Sequence, residues 1–165
     1  MVSWLYLQLL FLVLALSIIS LVDLRTQTIP DLAVLLLGLG GICFQGFSVS
    51  ALSAVMSAAF YFSCFWLIRE LHYLATGGIG LGFGDVKMAG AAGAWITIGA
   101  APLFIGLAAC VALLAVAAAT LVGGPAIWNR RIPFGPFLAL SLLVCWMLKV
   151  SYIDLDGFYE LFSIA

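Results

Sequence analysis

The chain has 165 residues, 66% of them hydrophobic and 8% charged, with a mean hydropathy of +1.30. Soluble domains carry about 25% charged residues, so this chain has too little polar surface for a water-facing globule, and a bilayer must solvate most of its side chains. Six Lys and Arg against seven Asp and Glu, with no basic run, argue against a nucleic-acid partner, and at about 20 apolar residues per crossing the length holds at most about seven spans and no sizeable soluble domain.

Charges punctuate the chain, and the uncharged stretches between them, residues 1–22, 32–68, 88–129 and 132–148, mark the spans. The first stretch predicts a helix over 3–22. Its first positive charge, Arg25, follows the apolar run instead of preceding it, so it is not a cleaved signal peptide. The run from Leu32 to Ile68 is twice the minimum for one crossing and breaks at Gly46-Phe47-Ser48, which predicts helices over 29–45 and 50–68. The run from Met88 to Asn129 divides at Ala101-Pro102, because proline is best tolerated in a helix's first turn. Helices are therefore expected over 86–100 and 103–122. A last helix over 136–150 completes the expected fold: an all-α polytopic membrane protein, a bundle of six transmembrane helices forming one transmembrane domain over 1–165.

Lys and Arg are retained on the cytoplasmic side of a membrane. Arg25, Arg69, Lys87, Arg130 and Arg131 fall in the first, third and fifth loops, and only Lys149 falls on the opposite side. Both termini should then face outward, together with the acidic tail of Asp154, Asp156 and Glu160. Cys43, Cys64, Cys110 and Cys145 lie far apart in apolar spans with no CxxC pair, and read as small hydrophobes in helix packing.

The chemistry must then come from the few polar residues at the cytoplasmic boundary. Asp23 falls at the C-terminal end of the first helix, where the helix dipole disfavours an anion. Asp85 follows a ladder of alternating glycines, Gly78, Gly80, Gly82 and Gly84, which allows close backbone approach. By itself Asp85 reads as an N-cap. The ladder has neither the GxGxxG spacing of a dinucleotide site nor the Gly-Lys-Ser/Thr of a phosphate loop. Gly82-Phe83-Gly84-Asp85 looks like the end of a potassium-channel filter, but Gly80 and Leu81 stand where the filter has Thr and Val, and the charge pattern puts the loop on the wrong side. A cation channel would use the ladder alone, and a non-catalytic membrane scaffold would leave both carboxylates without a role. Two intramembrane carboxyls sharing one site can instead divide the work of an aspartic protease. One takes a proton from water and the other, neutral, polarises a peptide carbonyl, with no metal or cofactor.

Three segments resemble one family, the type IV prepilin peptidases, intramembrane aspartic proteases of the GxGD type. Asp23 followed by Ile29-Pro30-Asp31 is similar to the family's first segment. Gly82-Phe83-Gly84-Asp85-Val86-Lys87, with Gly90 to Trp95 behind it, is similar to the second, and Pro133-Phe134-Gly135-Pro136-Phe137 to the third. The resemblance implies removal of a short basic leader from a prepilin or pseudopilin, a substrate with a leader and an apolar helix. Cleavage would occur at the cytoplasmic face of a bacterial inner membrane. It implies Asp23 and Asp85 as the catalytic pair, with Gly82, Gly84 and Lys87 in support, and no cofactor or metal. Pro30 and the Pro133–Pro136 segment would shape helix starts. Lys87 would either snorkel to the interface or hold the Asp85 loop or the substrate, and His72, without a partner at ligand spacing, would be interfacial. Only 22 residues precede Asp23 and no paired cysteines occur, so the chain is similar to short, peptidase-only members without a methyltransferase insert.

Overall fold

The computed structural model describes residues 2–46, 51–78, 80–123 and 133–163. Over these it is helical, with α1 (Val2–Thr26), α2 (Asp31–Gly46), α3 (Ala51–Thr76), α4 (Phe83–Gly93), α5 (Ala101–Gly123) and α6 (Gly135–Ser163). A single 3₁₀ turn, Ile98–Ala100, leads into α5 and puts Pro102 in the first turn of that helix, as expected. The break expected at Gly46-Phe47-Ser48 and the Arg130-Arg131 pair fall wholly or partly outside the described residues.

The helix ends depart from the expected ones where a charge had been taken for a boundary. The first helix continues past Asp23 and Arg25 to Thr26, whose hydroxyl donates to the Val22 carbonyl at 2.9 Å. Gln27 then takes a left-handed backbone with φ 53° and its N–H bonds the Asp23 carbonyl at 2.8 Å. Asp23 therefore lies inside the last turn of α1. Likewise α3 does not stop at Ile68 but carries Arg69, Glu70 and His72 on to Thr76. Its stop is Gly77, at φ 69°, whose N–H closes on the Tyr73 carbonyl at 2.8 Å, the left-handed C-terminal cap that glycine favours. Gly77, immediately ahead of the ladder, is thus a helix terminator.

The helix expected over 86–100 is shorter, with eleven residues against the 25 of α1. At 1.5 Å per residue it is about 16 Å long, roughly half of a hydrocarbon core, so α4 is not a span. It packs against α2, α3 and α6, and Val86 and Met88 through Gly93 are all buried. A helix apolar on every side belongs inside a bundle, and the Ala and Gly content of α4 lets its neighbours close in. At Gly93 a β-carbon would stand 2.6 Å from the Ser57 carbonyl oxygen, so the α3–α4 approach requires glycine there.

Around this central helix, α1, α3 and α5 present long apolar surfaces. Ser3–Thr26, Ala51–Thr76 and Ile98–Leu121 are each long and apolar enough to cross a membrane. Leu14, Leu52, Leu113 and Leu121 are among many large hydrophobics left exposed, an outer face suited to lipid rather than water.

The far end of α4 is tied down by polar groups from three helices. Gln45 of α2 and Lys149 of α6 both donate to the Trp95 carbonyl, at 2.7 and 3.1 Å. The Tyr61 hydroxyl of α3 donates to the Thr97 carbonyl at 3.0 Å, and the Trp95 indole N–H to the Leu37 carbonyl at 2.9 Å. These bonds satisfy backbone groups left open where a short helix ends inside the bundle.

Candidate active site

The site forms where the last turn of α1, the first turn of α4 and the start of α6 meet. Asp23 is 4% exposed. Its Oδ2 accepts a hydrogen bond from the Gly135 N–H, 2.9 Å away, at the first residue of α6. The anion that the dipole of α1 disfavours is therefore held by the N-terminus of α6, where backbone N–H groups and dipole both suit a carboxylate. A β-carbon on residue 135 would stand 2.7 Å from that oxygen, so a side chain here would displace the carboxylate. Gly135 is a site residue that sequence reasoning missed, having read its segment as helix shaping alone. Pro136, in the first turn of α6, does have that role.

Asp85 is not the N-cap of α4. Gly82 is, and Asp85 is the third helical residue. From there its carboxyl reaches back to a hydrogen bond with the Gly82 backbone, the acid half of a capping box. Burial pushes the Asp85 carboxyl up to about 6, the neighbouring Asp23 carboxyl adds to the rise, and the Gly82 hydrogen bond offsets part of it. The two aspartates, 62 positions apart in the chain, thus feel one another's charge.

The supporting residues lock the first and second segments together. Gly84 packs on Ile29, with the position of a β-carbon only 3.1 Å from the Ile29 Cβ. Lys87 Nζ pairs with Asp31 Oδ1 at 2.8 Å, so Lys87 links the α4 start to the α2 start. Sequence reading had quoted Asp31 only as part of a motif. Phe83 is flanked by two cations, the Lys87 ammonium 5.1 Å and the Arg69 guanidinium 5.7 Å from its ring centre. His72 is exposed and lies beside Gly80 of the ladder.

The arrangement places a buried carboxyl and a half-buried one in mutual influence, the first fixed by a helix N-terminus and the second by the turn that starts α4. Such a pair can hold one proton between two sites and act on a shared water.

Comparison with known proteins shows the family of this chain. A sequence model described as the type IV leader peptidase family matches residues 10–118. The prepilin leader peptidase/N-methyltransferase of Neisseria gonorrhoeae is 35% identical over 141 residues, which cover 84% of this chain and 48% of that protein. The proteins of the same name from Pseudomonas aeruginosa and Legionella pneumophila are 35% and 37% identical over 146 and 152 residues. Those matches take in 84% and 89% of this chain but only 50% and 53% of the relatives. The chain thus spans about half the length of the curated relatives it matches. No solved structure gives a significant match. With its family model covering most of α1 through α5, and relatives of this identity over most of its length, the chain belongs to the type IV leader peptidase family.

Proposed function

We propose that this chain is an aspartic endopeptidase that removes the short basic leader from type IV prepilins or pilin-like proteins at the cytoplasmic face of the inner membrane. The observation that carries the reading is the meeting of three distant segments at one pair of carboxyls, through the Asp23–Gly135 hydrogen bond and the Lys87–Asp31 pair. One carboxyl of the Asp23–Asp85 pair, neutral, donates a hydrogen bond to the scissile carbonyl, and the other accepts the proton of the attacking water. The tetrahedral intermediate then collapses as the leaving amine takes a proton from the pair, leaving a new carboxyl terminus on the leader and a new amino terminus on the pilin. Arg25, Arg69 and Lys87 cluster at the same end of the bundle as the pair, which supports a cytoplasmic site.

The channel reading is less well supported. Phe83 and Gly84 lie in the first turn of α4, so their carbonyls point along a helix instead of around a pore.

The reading is tested with purified protein and a prepilin carrying a basic leader, followed by mass spectrometry. The expected product is shorter by the leader, formed at the same rate with EDTA and with serine- or cysteine-directed reagents. Loss of activity in EDTA, restored by a divalent ion, would make the aspartates metal ligands and overturn the mechanism.

A further inference from the structure

Asp23 lies on α1 and Asp85 on α4, yet neither helix is a main neighbour of the other. α4 packs chiefly on α2, α3 and α6, and α1 on α6 and α2. The relative placement of the two carboxyls is therefore carried by other elements. One is α6, whose Gly135 N–H holds Asp23. The other is the connection from α1 to α2, residues 27–30, which meets the start of α4 at two points. Ile29 lies against Gly84, where a β-carbon would stand 3.1 Å from the Ile29 Cβ. At the first residue of α2, Asp31 Oδ1 accepts a hydrogen bond from Lys87 Nζ at 2.8 Å. The two contacts flank Asp85 in the chain.

We infer that Asp31 is a positioning residue for the reaction, which through Lys87 fixes how far α4 is turned about its axis and so where Asp85 presents its carboxyl. This inference rests on the peptidase reading and adds to it a residue that acts on Asp85 from the opposite side of its helix. At 3.6 residues per turn, Lys87 stands about 200° around α4 from Asp85, so pinning Lys87 to α2 holds Asp85 turned away from α2. The helix itself offers little resistance to turning. From Ala89 to Gly93 it consists of Ala and Gly alone, which raise only shallow ridges for neighbouring helices to grip. The bonds at Trp95 anchor the far end, ten residues from Asp85, and leave the first turn to Ile29 and the ion pair. Lys87 is also fixed in direction, because its ammonium lies 5.1 Å from the centre of the Phe83 ring as well as on Asp31. Asp31 is 73% exposed, and an exposed ion pair adds little to stability, so its loss should leave the fold intact and be felt in placement.

The test measures prepilin cleavage by wild type, Asp31→Asn, Asp31→Lys, Lys87→Asp and the exchanged pair Asp31→Lys/Lys87→Asp, at matched membrane abundance. Asp31→Asn should lower kcat about tenfold with KM within about twofold of wild type, the pattern of misplaced chemistry with binding intact. Each single reversal should lower kcat further, and the exchanged pair should recover to within about threefold of wild type, since the coupling of two charges survives their exchange. Wild-type kcat in Asp31→Asn, a change confined to KM, or an exchanged pair no better than the single reversals would overturn the inference. A second measurement needs no catalysis. With the four native cysteines replaced by alanine, Asp23→Cys and Asp85→Cys are joined by a short bifunctional thiol reagent. The joined fraction should fall several-fold when Asp31→Asn is added, and an unchanged fraction would overturn the inference. A wild-type protein that cleaves no prepilin would instead count against the peptidase reading, and the joined fraction would still decide whether Asp31 places residue 85.

Discussion

Asp23 illustrates how a residue unfavourable in its own helix is made stable by another one. The start of α6 supplies the N–H that the end of α1 cannot, and Gly135 is the residue that makes room for it. Gly135→Ala should therefore lower kcat about 100-fold, the scale of an ångström-sized misplacement at a reacting group, while the protein accumulates and melts near wild type. Normal kcat in this variant would mean that the Asp23 geometry is not limiting. Asp85 carries a different consequence. Its folded-state carboxyl is raised from 3.8 to about 6, so the folded protein holds that proton more tightly than the unfolded chain does. Ionising it costs stability, a cost absent below pH 3.8, growing up to about 6 and fully present above it. Asp85→Asn should accordingly raise Tm at pH 8 and leave it unchanged near pH 4; an equal Tm at both would show that Asp85 is not held in a desolvated place. Both aspartates were legible in the sequence because a charge in an apolar chain stands out. Gly135 was not, since its constraint is a contact 112 positions away, and a glycine's contacts leave no mark on its neighbours in sequence.

At the scale of elements, the six α-helices among the described residues could be read from the charge spacing, but the lengths of α1, α3, α4 and α6, the last running to Ser163 instead of 150, could not. The sequence of α3 continues through Arg69, Glu70 and His72 because these residues are compatible with helix, and a charge ends a span without ending a helix. The shortness of α4 was hidden for the opposite reason: the run behind Asp85 is uncharged throughout and looks like a full crossing. What ends it at Gly93 is tertiary, the polar groups that Gln45, Tyr61 and Lys149 bring from three other helices. Gln45 and Lys149 share one acceptor, the Trp95 carbonyl, so either alone still satisfies it. Gln45→Leu and Lys149→Met should each cost about 1 kcal/mol, and the double variant more than their sum, because only then is a buried carbonyl orphaned. Strict additivity in denaturation midpoints would show that the two bonds do not act on a common group.

For the molecule as a whole, the architecture is a short buried helix carrying one carboxyl, framed by longer helices that face lipid, one of which brings the second. The sequence showed the membrane setting and the motif segments, and the structure adds that these segments converge, through contacts at Gly84, Lys87 and Gly135. The account stands or falls on whether the two carboxyls act as one unit. The direct measurement is prepilin cleavage by Asp23→Asn, Asp85→Asn and the double variant, each matched for membrane abundance, since asparagine preserves side-chain size and removes the ionisable group. Each single variant should abolish cleavage and the double should be no worse than either, the non-additivity expected of groups that share one task. Wild-type cleavage by Asp23→Asn alongside an inactive Asp85→Asn would contradict the pair.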